Sequence, residues 1–64
     1  MIVLTMIITL LQNAYVCYMK LYHFKEARKC AKYIISLKQD FVKGYVLLGQ
    51  STLFNKQATY FHID

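Results

Sequence analysis

The most regular stretch of the chain is residues 24–38, FKEARKCAKYIISLK. Apolar side chains at Phe24, Ala27, Ala31, Ile34 and Ile35 recur at steps of three and four, while Lys25, Lys29, Lys32 and Ser36 follow the same step on another face. That spacing predicts an amphipathic helix with one side in a core and the other in water. Glu26 in its first turn and Lys38 in its last both suit the helix dipole. Ahead of it, Leu21-Tyr22-His23 predicts a tight turn, although no Gly or Pro marks it.

Residues 1–19, MIVLTMIITLLQNAYVCYM, show no such alternation. Only Thr5, Thr9, Gln12 and Asn13 interrupt an apolar run, and the segment carries no charge. As a helix it rises about 28 Å, close to the roughly 30 Å of bilayer hydrocarbon. Tyr15, Tyr18 and Lys20 would then make an interfacial end, with the basic remainder on the cytoplasmic side. A secretory signal fits poorly, since no basic residues precede the apolar run and no small-x-small cleavage site follows it. A helix buried on all sides by neighbours has the same pattern, so two readings stand here.

Beyond residue 38, Gln39-Asp40-Phe41 predicts a break, with Asp40 as N-cap of a third helix and Lys43 at its third helical position. Within residues 42–54, VKGYVLLGQSTLF, the positions Tyr45, Leu48, Gly49 and Thr52 share one face. Each interior Gly costs about 1 kcal/mol of helix propensity, so at least one should have a packing reason. Residues 57–62, QATYFH, predict a short fourth helix or a frayed end.

Composition narrows the classes. A chain of 64 residues, 58% apolar, without Pro and with two Gly, is neither a disordered tail nor a Gly/Pro-rich β-sandwich. It is one small domain, marginal on its own because so short a chain buries only about 60% of its unfolded surface. The net charge is +5, and Lys20, Lys25, Arg28, Lys29, Lys32, Lys38 and Lys43 all fall within residues 20–43. Such a patch attracts an acidic peptide, a membrane surface or nucleic acid. Cys17 and Cys30 lie in no metal-binding spacing with His23 or His62, so no metal is expected and two reduced thiols are. No nucleophile has a base placed beside it, no two of Glu26, Asp40 and Asp64 pair, and no phosphate loop occurs, so neither catalysis nor a cofactor is expected. Tyr18, Phe24 and Tyr45 at helix-packing positions read better as core or groove aromatics than as stacking platforms for nucleic acid.

Sliding the chain by 34 residues sets Leu11 on Tyr45, Ala14 on Leu48, Tyr15 on Gly49 and Tyr18 on Thr52. Tyr45-x-x-Leu48-Gly49 resembles the start of a first helix in the tetratricopeptide repeat family, and Phe24-Lys25-Glu26-Ala27 the start of a second. Asn13-x-x-x-Cys17-Tyr18-Met19-Lys20-Leu21 is similar to the first helix of co-chaperone members of that family. The resemblance covers roughly residues 9–54. It departs from the pattern at Tyr15, where Gly or Ala is usual, at Gln39, where Pro is usual, and at Phe54 and Ala58, one residue too far apart. It implies an all-α chain of antiparallel helix-turn-helix hairpins, a solenoid fragment with a full repeat at about 8–41 and a partial one at about 42–64. Helices are expected near 2–20, 24–38 and 41–54, with Ala27 and Gly49 as the small residues at helix crossings.

In function the resemblance implies a non-catalytic protein-interaction module in the cytoplasm, docking an acidic peptide such as a chaperone C-terminal tail. Asn13 and Lys43, thirty apart, match two positions of the family's carboxylate clamp, and Leu47 stands where an Arg is often found. The remaining clamp positions belong to an upstream repeat. One and a half repeats leave apolar faces bare, which predicts self-association or docking on a partner. The rival expectation is a single-pass membrane protein spanned by residues 1–19. Nucleic acid is the weakest of the three.

Overall fold

The computed structural model describes residues 2–60, and these fold into three helices with no strand among the described residues. They are α1 (Ile2–Lys20), α2 (Phe24–Leu37) and α3 (Val42–Tyr60). The fold class is all-α, as expected, and the first two helices fall within one residue of their expected bounds. The third runs on past residue 54, because neither Gly nor Pro interrupts residues 50–60. Residues 57–60 therefore continue α3 and do not start a fourth helix, while residues 61 and 62 lie outside the described residues.

The turn after α1 is closed by its backbone. The His23 N–H donates to the Tyr18 carbonyl at 2.8 Å and the Tyr22 N–H to the Met19 carbonyl at 3.1 Å. This is a Schellman ending, in which the residue past the helix takes the left-handed conformation. Tyr22 does so with φ 60°, a place usually given to Gly. Aromatic packing offsets the strain: Tyr22 meets Phe24 edge-on at 5.9 Å, and His23 stacks on Tyr18 at 6.3 Å. A turn with no Gly to announce it is thus held by rings.

Helix α2 packs against both α1 and α3. Its fully buried Ala27, Ala31 and Ile34 join Ile8 and Tyr15 of α1 and Leu47 of α3 in the core. The alanines let both neighbours come close, and α2 keeps Lys25, Arg28, Lys29 and Lys32 in water. Along α1 the inward stripe is Leu4, Ile8, Leu11, Tyr15 and Tyr18, a step of four and three repeated. Met19 packs beside this stripe at the helix end, and Val3, Met6, Leu10, Asn13 and Cys17 are exposed on the far side.

The face of α3 departs from expectation. Gly44, Leu47 and Ser51 are buried, with Leu48 and Thr52 half-buried beside them, whereas Tyr45 and Gly49 are exposed. A Cβ on Gly44 would meet Ile35 Cγ1 at 3.0 Å and Ile34 Cγ2 at 3.3 Å; one on Gly49 would meet nothing within 4 Å. The glycine with a packing reason is therefore Gly44, at the crossing with α2, and the expected role of Gly49 does not hold. Asp40 is not an N-cap either. Helix α3 opens at Val42, the Gly44 N–H bonds the Phe41 carbonyl at 3.0 Å, and Lys43 becomes the second helical residue.

Candidate functional site

Three features have the makings of a site. The first is the cationic face of α2. Lys25, Arg28, Lys29 and Lys32 step by three, one and three along one side of the helix and line a groove of about 250 Å³ together with Asn55 of α3. The two described carboxylates, Glu26 and Asp40, are both exposed, and only Glu26 lies on α2. The sequence showed these cations as a patch; that α3 supplies an amide to the same groove depends on how far α3 extends, which the fading signal after Asn55 concealed.

The second feature is the polar contact inside the core. The Tyr15 hydroxyl donates to the Leu47 carbonyl at 2.8 Å, tying α1 to α3 across 32 residues. Fully buried Ser51 donates to the Leu48 carbonyl at 3.0 Å. Burial pushes the Tyr15 phenol above its ordinary value, and the bonded Ser51 hydroxyl partly opposes that rise. Tyr15 stands where the tetratricopeptide pattern usually has Gly or Ala. Its ring fills the space a small residue would leave, and its hydroxyl finds a backbone acceptor.

The third is an open cleft of about 360 Å³ between the first half of α1 and the α2–α3 turn. Leu4, Ile8 and Phe41 line it with Thr9, Gln12 and Lys38, and the Lys38 ammonium sits 6.0 Å from the Phe41 ring centre. Its position also fixes the course of the chain: the end of α2 lies beside the start of α1, so the two helices run antiparallel.

The residues singled out for a carboxylate clamp separate by environment. Asn13 and Lys43 are exposed on α1 and α3, and Leu47 is buried in the core, 8% exposed. Cys17 is exposed and Cys30 half-buried, both as free thiols; burial pushes the Cys30 thiol up. No group of three or more His, Cys, Asp or Glu gathers among the described residues. No protein-family model matches the chain, no curated protein matches it, and no solved structure matches it.

Proposed function

We propose that this chain is a non-catalytic, tetratricopeptide-like interaction module that docks an acidic segment of a partner protein. The observation that carries this reading is the cationic groove of α2, with four basic side chains and the Asn55 amide. From Lys25 to Lys32 the helix rises about 10 Å, the reach of three or four extended peptide residues. Ammonium and guanidinium groups bond carboxylates with charge assistance. Duplex DNA offers phosphates on a much longer track, which this short face would engage only in part. An acidic chaperone tail is one segment of the required kind. The family resemblance would seat it at Asn13 and Lys43, but Leu47, the third position, offers no surface, so the α2 groove is the better seat. Two free thiols suit a reducing cytoplasm.

The test is the anisotropy of a labelled Asp/Glu-rich peptide titrated with the chain. Charge reversal by Lys29→Glu with Lys32→Glu should weaken binding at least tenfold, while Lys43→Ala should change it less than twofold. Tighter binding of a nucleic-acid duplex than of the peptide would sink the reading.

A membrane-spanning α1 has one observation in its favour. The helix is 19 residues long with a mean hydropathy of 1.7 over its most apolar window, 11% of which is buried in the chain. Yet α2 lies antiparallel along the same length and carries Lys25, Arg28, Lys29 and Lys32. In a bilayer each of those charges would cost about 2.5–3.5 kcal/mol near the centre. Spanning therefore requires α1 to leave its core, with Ile8 and Tyr15. Cell fractionation separates the two states: neutral high-salt washing retains a spanning chain on membranes and releases a packed one.

A further inference from the structure

Helix α1 carries two seams and uses one. Opposite its inward stripe run Val3, Met6, Leu10, Asn13 and Cys17, spaced three, four, three and four, which is the a/d spacing of a two-stranded coiled coil. Val3 is 69% exposed, Met6 59% and Leu10 66%, with Ile2 and Ile7 flanking them. The exposed area of these apolar residues and their Val16 neighbour is on the order of 600 Å² per copy, most of the roughly 800 Å² that each partner buries in a stable complex. A contiguous patch of that size is at the upper end of what a soluble monomer ordinarily shows to water, and such patches are often functional.

We propose that this outer seam is the interface of a homodimer in which two α1 helices pair in parallel about a twofold axis. The occupant is a second copy because the seam is self-complementary. A single polar residue, Asn13, breaks an otherwise apolar and thiol-bearing row at a d position of the heptad that this spacing sets, and a buried amide favours the register in which it meets a polar partner. Its placement also sets direction. In a parallel pair Asn13 meets Asn13, and each amide can donate to and accept from the other. In an antiparallel pair centred on Leu10, Asn13 would lie among Met6 and Ile7, where its amide is buried without a partner. The parallel pair also brings Cys17 to face Cys17. The proposal is independent of the acidic-segment reading, since the cations of that groove are on α2 and this seam is on α1.

The experiment joins mass and cross-linking. Sedimentation equilibrium of the full chain should give twice the 7.6 kDa monomer mass at tens of micromolar. Leu10→Lys should return it to monomer mass with its helical circular dichroism unchanged. A short bismaleimide reacting with thiols of the Cys30→Ala variant should then yield a Cys17–Cys17 dimer on a denaturing gel. Cys30 is half-buried and its thiol is held protonated, so it competes poorly even when present. A monomer throughout the concentration range overturns the proposal, as does a dimer that survives Leu10→Lys. A Leu10→Lys-sensitive dimer that fails to cross-link through Cys17 overturns the parallel arrangement. A chain that is monomeric in buffer and sediments with phosphatidylcholine vesicles shows that lipid, not a second copy, covers the seam.

Discussion

Helices α1 and α2 lie side by side and contribute to one core, yet they use their apolar residues very differently. In α2 nearly every core-forming side chain on the apolar stripe is used: Ala27, Ala31 and Ile34 are fully buried, and the opposite side is Lys and Arg in water. In α1 the apolar character continues all round the helix while burial is confined to one stripe, so that Ile2 remains 80% exposed. Meanwhile a serine of α3, Ser51, is wholly enclosed. Position next to α2 decides what is buried; hydrophobicity alone does not. A small residue in the central helix is worth more to this fold than a large one on the outer side of α1.

The largest expected effect tests that contrast directly. Ile34→Ala in α2 should cost about 2–5 kcal/mol, because the fully enclosed side chain leaves a cavity. Leu10→Ala on the outer side of α1 should change stability by no more than about 0.5 kcal/mol at concentrations where the chain is monomeric. Urea denaturation followed by circular dichroism measures both. A domain of this size holds only about 0.05–0.15 kcal/mol per residue, so the first variant should be largely unfolded and the second native. Equal losses would mean that the outer side of α1 is not free in solution.

A smaller effect comes from the hydroxyl by which Tyr15 of α1 reaches α3. Burial raises the Tyr15 phenol, so the folded chain keeps a proton that the unfolded chain gives up near pH 10. Stability attributable to Tyr15 is therefore intact below pH 10 and is lost as pH climbs from there toward the folded value. Helicity and tyrosinate absorbance should change together in an alkaline titration. Tyr15→Phe should cost about 1 kcal/mol at neutral pH through the lost bond to the Leu47 carbonyl. It should also flatten the part of the alkaline loss that Tyr15 causes. A profile identical to that of the parent would assign the alkaline transition to other groups.

How much of this was legible follows the same contrast. The bounds and buried side of α2 could be read because Lys25, Lys29 and Lys32 mark where water is. The length of α1 was legible too, but not its inward stripe, because an apolar residue on every side carries no phase. Helix α3 was phased one residue off: Tyr45 and Gly49 fitted a family pattern, while Gly44, Leu47 and Ser51 fit the space left by Ile34, Ile35 and Tyr15. That space is a tertiary fact and has no local signature. The same shift puts Leu47 in the core and leaves Asn13 and Lys43 as exposed residues on separate helices. The cationic groove was half legible, as charges on α2 without the Asn55 that completes it.

The two glycines of α3 bring the question down to single methyl groups. Both sit in a helix interior, where Ala is favoured over Gly by about 1 kcal/mol. At Gly49 the new methyl enters open space, so Gly49→Ala should stabilise the chain by about that amount. At Gly44 it meets Ile35 Cγ1 at 3.0 Å and Ile34 Cγ2 at 3.3 Å, and Ile34 is enclosed on all sides. Forcing a methyl into such a contact costs about 1–3 kcal/mol, which offsets or exceeds the gain in propensity. Gly44→Ala should therefore be neutral to destabilising where Gly49→Ala is stabilising, a difference readable as midpoints shifted in opposite directions, or one unshifted, in urea. If Gly44→Ala stabilises as much as Gly49→Ala, α3 does not press on α2 at that crossing, and the central place given to α2 fails at its tightest contact.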